Sequence, residues 1–453
     1  MKIVSLRIVV VLSALSAFAW CAAARLSADP ITGGDLGATT GVDAKSQEIA
    51  DAVARFKDRD FDGALKLLKE AVKKNADLPP AQVILAQLFS QANIPMGVRN
   101  ALEQTVVESA DDPEAYVIMG DIALRERQVT AASLLYAKAA SLMAKFDKSA
   151  KRKGLLQPRV YSGLASVAEA RADWAGAQKQ LETWLTLEPK SALAMQRLAR
   201  CLFQQKKPTS ALAMLRDAAK ADPEVLTPEA ILAGFYERAD PPDRENANKS
   251  MAAALVAAPK DIKTWLVAGQ HALETGQLEE AQKRAAFAMD LDAKSLDAKI
   301  LRGVIALFQK DYKAAELYFE SAHLQSPINF AASNNLALAL IEQKDESKKR
   351  RALEYAEANA RQFQKNSPNY AEAASTYGWA LYKLGRMDEA EQALRAAASG
   401  GTFSADTAYY IARVSADRGR ESEAKVLLEN ALKSTGPFSQ RQEAKALLER
   451  LKK

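Results

Sequence analysis

The sequence predicts an all-α fold: an α-solenoid of about eleven helix-turn-helix units, finished by one C-terminal capping helix. Three observations predict it. Small residues recur at a constant interval of 34 residues over most of the chain. Alanine makes up roughly a fifth of the 453 residues, while proline (16) and glycine (20) are scarce; alanine is the strongest helix former and proline ends helices. Apolar residues make up 48% and charged residues 26%, so the chain can bury a substantial core and is neither a collagen nor a disordered tail.

The elements follow in order. Lys2 and Arg7 precede an apolar run from Ile8 to Trp20, and Ala22-Ala23-Ala24 offers a small-residue cleavage site before Arg25. That is the layout of a secretory signal peptide over residues 1–24. The run is short for a bilayer span, which needs about 20 residues. An uncleaved anchor and a lipid-modified Cys21 are the alternatives, although Phe18, Ala19 and Trp20 are poor company for a lipid-attached cysteine. Cleavage removes two positive charges and lowers the net charge from +6 to +4. It also leaves Cys201 as the one remaining cysteine, which rules out an internal disulfide. Residues 25–44 are rich in Gly, Asp and Thr and read as a flexible leader.

Repeats then run from residue 45 to 438, with starts near 45, 79, 113, 158, 192, 228, 262, 296, 330, 371 and 405. The segment DIKTWLVAGQHALETGQLEEAQKRAAFAMDLDA from Asp261 shows the pattern. A small residue comes first, then a short polar turn, then two alanines seven apart. Residues 45–146 hold units 1–3, a basic insertion follows at 147–157, residues 158–370 hold units 4–9, and 371–438 hold units 10–11. Residues 439–453 read as the capping helix, which gives the last unit a polar cover.

This pattern resembles the tetratricopeptide repeat, a helix-turn-helix unit of about 34 residues. The family's small eighth position is matched by Gly120, Ala165, Ala199, Gly269, Gly303, Ala337, Gly378 and Ala412. Its twentieth is matched by Ala64, Ala132, Ala177, Ala211, Ala247, Ala281, Ala315, Ala352, Ala390 and Ala424. Its twenty-seventh is matched at Ala71, Ala139, Ala218, Ala254, Ala288, Ala322, Ala397 and Ala431, with Thr105 and Trp184 as departures. Two helices joined by a tight turn interlock only where one presents a small side chain to the other's bulk. The resemblance implies a right-handed solenoid whose first helices line a concave surface that holds segments of other proteins.

Transferred position by position, the resemblance places Phe308, Asn334, Trp379, Tyr382, Tyr409 and Arg413 on that surface as partner-binding residues. Ile300, Val304 and Leu307 occupy similar places and read as core. The earlier units are more polar there, with Asp121, Arg125, Ser162, Ser166, Glu169, Gln196 and Arg200. A groove rich in Trp, Tyr and Arg is therefore expected in the C-terminal half. Some relatives clamp a C-terminal carboxylate with Lys, Asn and Arg. Asn335 fits one element of that clamp, but Ile300, Val304, Glu372 and Thr376 stand where its other groups belong.

Two basic runs, Lys148 to Lys153 and Lys348 to Arg351, fall in lengthened connections and read as solvated loop tips. No aromatics interleave with them, so no nucleic-acid platform is expected. His271 and His323 sit in different units, and no phosphate loop, nucleophile elbow or metal signature occurs. No catalytic residue, cofactor or metal is expected. Cys201 lies in a helical pattern and reads as an inert buried thiol. The expectation is an exported scaffold, in the periplasm or outside the cell, that binds other proteins. It contacts membrane only if the N-terminal segment stays uncleaved or is lipidated. The alternative is a structural part of an export or exopolysaccharide-secretion apparatus.

Overall fold

Alanine-rich stretches broken by short polar turns give helices of ten to twenty-one residues. The computed structural model describes residues 47–363, 367–434 and 436–453, so the signal-peptide and leader expectations lie outside the described residues. Among the described residues there are twenty-three α-helices and no strand. They follow one another as eleven helix-turn-helix units and a final helix. The first five pairs are α1 (Gln47–Lys57) and α2 (Phe61–Lys74), α3 (Ala81–Gln91) and α4 (Pro95–Glu108), α5 (Glu114–Arg125) and α6 (Val129–Met143), α7 (Ala150–Ala170) and α8 (Trp174–Leu187), and α9 (Ala192–Gln204) and α10 (Pro208–Ala221). Next come α11 (Pro228–Glu237) and α12 (Arg244–Ala257), α13 (Ile262–Glu274) and α14 (Leu278–Leu291), and α15 (Leu296–Phe308) and α16 (Tyr312–Gln325). The last are α17 (Phe330–Ile341) and α18 (Glu346–Gln362), α19 (Tyr370–Lys383) and α20 (Met387–Ala398), α21 (Ala405–Asp417) and α22 (Glu421–Leu432), and then α23 (Arg441–Lys452).

The chain divides into two compact units, residues 47–250 and 251–453, with the division inside α12. Each is an α-solenoid. In the first, the second helix of each hairpin packs on the first helix of the next, from α2 on α3 to α10 on α11. In the second, the same stacking runs from α14 on α15 to α22 on α23. The first helices there also touch in series, α13 on α15, α15 on α17, α17 on α19, α19 on α21 and α21 on α23.

The recurring small residues are the points of closest approach. Every alanine at the twentieth position, from Ala64 to Ala424, is fully buried. A Cβ at Gly303 would lie 2.6 Å from the Phe319 ring, and one at Gly378 would lie 2.7 Å from Leu394 Cγ. In the first unit the fully buried Tyr136 lies against two glycines. A Cβ at Gly120 would come within 2.9 Å of its ring, and one at Gly163 would come closer still. The hairpin turns place one residue in the left-handed region, such as Lys206 (φ 62°), Lys310 (φ 61°) or Gly385 (φ 77°). Several second helices are then capped by an aspartate, as where Asp311 accepts from the Ala314 N–H at 3.0 Å.

The two basic runs correct the loop-tip reading. The insertion prolongs a helix: α7 starts at Ala150, capped by Ser149, and runs for 21 residues. Arg152, 5% exposed, donates to both oxygens of Asp112 at 2.8 and 2.9 Å and to Glu114 at 2.7 Å. The second run lies on α18, where Lys348 pairs with Glu316 at 2.5 Å and Arg351 with Glu320 at 3.0 Å. In both places acidic residues of the preceding hairpin face the basic ones and draw the added residues into helix.

Candidate partner-binding face

Because α15, α17, α19 and α21 lie side by side, residues four apart on each come together on one face. Ile300 and Val304 are buried core, while Leu307 and Phe308 are half-buried against it. Asn334 is fully buried; its Nδ2 donates to Glu372 Oε1 at 3.4 Å and its Oδ1 has no partner. Trp379 and Tyr409 are only 3% and 7% exposed. Tyr382 and Arg413 are half-buried.

These residues form one cluster, except Phe308 and Asn334, which stand on neighbouring helices. Trp379 stacks on Tyr382 (5.0 Å, 18°) and on Tyr410 (4.2 Å, 13°), and Tyr409 tilts against it at 5.8 Å. Its indole N–H donates to Glu342 Oε1 at 2.7 Å, and Lys383 pairs with the other oxygen of Glu342 at 2.8 Å. The Tyr382 hydroxyl donates to Asp417 Oδ2 at 2.6 Å and accepts from Arg413 Nε at 2.8 Å. Tyr410, Glu342, Lys383 and Asp417 were not singled out by the sequence. The Tyr409-Tyr410 pair was a visible signal, whereas the acidic partners look like any exposed helix charge.

Burial sets the electrostatics of this face. It pushes the Tyr409 hydroxyl up to about 12 and that of Tyr410 well above its ordinary value. Burial, with the nearby charge of Asp406, raises the Glu372 carboxyl to about 7. Burial also raises Asp406, against the hydrogen bonds it accepts from Ser439 and Gln440.

At the same face the chain touches itself at long range. Lys310, in the turn between α15 and α16, donates to the Ser439 carbonyl at 2.8 Å and to Gln440 Oε1 at 3.1 Å. It also pairs with Glu443 at 2.9 Å. Asp406, at the start of α21, accepts from Ser439 Oγ at 2.7 Å and the Gln440 N–H at 3.1 Å.

In residues 47–250 the equivalent face is polar and paired within itself. Arg197, which sequence reasoning passed over, donates to Ser162 and Ser166, each at 2.8 Å, and pairs with Glu169 at 3.1 Å. Arg200 reaches the other oxygen of Glu169 at 2.5 Å, and Asp121 pairs with Arg159 at 2.8 Å. Cys201 is buried beside them, its thiol pushed up to about 12 by burial, and so stays protonated. Burial holds His271 down at about 4, so its ring is neutral at physiological pH.

Sequence models described as tetratricopeptide repeat match residues 168–230, 266–326 and 345–406. Those stretches coincide with hairpins whose contacts are described above. These stretches are tetratricopeptide repeats. Such repeats make protein–protein interaction scaffolds, and that coarse role is theirs here. Human cilia- and flagella-associated protein 70 is 34% identical over 98 residues, covering 20% of this chain and 9% of that protein. The chain thus spans about a tenth of the curated relative it matches. Yeast Tom70 is 14% identical with a TM-score of 0.38, covering 89% of this chain and 95% of its own. A thermophilic tetratricopeptide repeat protein of Thermus thermophilus is 16% identical with a TM-score of 0.36, covering 42% of this chain and 98% of its own. Both scores lie below 0.5, so these two likenesses say nothing about what the chain does.

Proposed function

We propose that the chain is a non-enzymatic scaffold of the cell envelope. Residues 1–24 direct its export to the periplasm or beyond, and its C-terminal repeats hold a segment of another protein. One observation carries the reading: aromatic and arginine side chains gather on the first helices of the last repeats, with Tyr382 and Arg413 held rigid by Asp417 while keeping partial exposure. Tyrosine, tryptophan and arginine dominate binding hot spots because they offer large contact area at low entropic cost. Burial keeps the Cys201 thiol protonated and the His271 ring neutral at physiological pH.

Affinity capture from envelope extract, read by mass spectrometry, tests it. The comparison is wild type against Tyr382→Ala with Arg413→Ala. These two are partly exposed, whereas Trp379→Ala would hollow the core at about 3–5 kcal/mol. The expected result is a protein held by wild type and lost from the double variant, with the fold unchanged by circular dichroism. Equal capture of every protein refutes the site. Fractionation with N-terminal sequencing tests the export: the periplasmic protein should begin at Arg25.

A further inference from the structure

Stacked repeats touch their neighbours and little else. The contact of Lys310 with Ser439, Gln440 and Glu443 departs from that rule: it joins the α15–α16 hairpin to the start of α23 and skips the three hairpins between them, 129 residues along the chain. Asp406 ties α21 to the same point through Ser439 and Gln440. Those three hairpins carry the Trp379, Tyr409 and Tyr410 cluster.

The fastening is polar and within reach of solvent. The Lys310 and Glu443 side chains are 32% and 39% exposed, so water and salt compete for them. The first helices between the two ends are imperfectly satisfied. Asn334 Oδ1 has no partner, and the hydrogen bond from Asn334 to Glu372 is long. Opening would hydrate both groups, while closure buries the rings.

We propose that the Lys310 clasp is an autoinhibitory contact: fastened, it holds the last hairpins and α23 closed over the aromatic cluster, and released, it exposes that cluster. As a control on partner binding this rests on the scaffold reading above, but the clasp itself is testable without any partner.

The test is hydrogen exchange read by mass spectrometry on the full chain, comparing wild type with Lys310→Met and Lys310→Arg. Lys310→Met should speed exchange about tenfold in α19, α21 and the first turn of α23, the loss expected for charged hydrogen bonds. Residues 47–187 should not change. Lys310→Arg, which keeps the charge and the donors, should exchange as wild type does. Raising salt from about 0.1 to 1 M should open wild type toward Lys310→Met, because the Debye length shrinks from about 10 to 3 Å. The proposal is overturned if Lys310→Met leaves exchange unchanged, or if Lys310→Arg opens equally. It is also overturned if all helices of residues 251–453 lose protection together, since the contact is then only a brace. A failed capture experiment leaves these outcomes untouched, and a failed clasp leaves the capture experiment standing.

Discussion

Gly303 is the sharpest place to test the packing that defines the fold. Gly303→Ala adds one methyl on α15. Its carbon would lie 2.6 Å from Cε1 and Cζ of Phe319 on α16. Phe319 is itself fully buried, so its ring has nowhere to swing. Overpacking of this kind costs about 1–3 kcal/mol. The better helix propensity of alanine returns about 1 kcal/mol. The net expectation is a loss of about 0–2 kcal/mol, set against a control on α7. Gly154 is exposed and has nothing within 4 Å, so Gly154→Ala should gain about 0.5–1 kcal/mol from propensity alone. Urea titration followed by circular dichroism measures both. Exchange in α15 and α16 supplements it, because stability in stacked repeats is partly local. The reasoning fails if Gly303→Ala is as stable as Gly154→Ala.

Two further perturbations test the buried charges. Arg152→Met leaves Asp112 and Glu114 buried without their cation, which should cost about 3–5 kcal/mol and lower the melting temperature of the first unit more than that of the second. Glu372→Gln tests the raised carboxyl. The folded chain holds that proton up to about pH 7 while the unfolded chain releases it near its ordinary value of 4.5, so stability contributed there falls as pH rises between the two. The full shift corresponds to about 3 kcal/mol, and partial exposure of Glu372 reduces that toward about 1–2. Melting curves of wild type should therefore decline from pH 5 to pH 8 more steeply than those of Glu372→Gln. Parallel curves would place the proton elsewhere.

Much of the fold was legible because a stacked repeat is a one-dimensional object. Each hairpin must solve the same contact problem, so the solution recurs in the sequence, and Ala315 or Ala390 can be assigned without knowing any distant neighbour. What the period does not encode was not legible. Gly163 lies off the pattern because it serves one side chain, Tyr136, which approaches from the preceding hairpin. Arg152 looked like a solvated charge because its partners, Asp112 and Glu114, lie about 40 residues earlier.

The candidate face shows the same limit at greater range. Its residue types could be read from single hairpins, and Trp379, Tyr382, Tyr409 and Arg413 do stand together. Whether Lys310 reaches Ser439 and Glu443 depends on where α23 begins relative to a turn on the far side of three hairpins. That distance is set by small rotations between successive repeats, which accumulate along the stack and leave no mark in any one of them. A single residue shorter or longer in the connections around 342–346 or 399–404 would move Ser439 away from Lys310 while leaving every small position in register. The Lys310 contact is therefore a property of the connections, and the connections, rather than the alanines, are where a change would undo it without altering the fold.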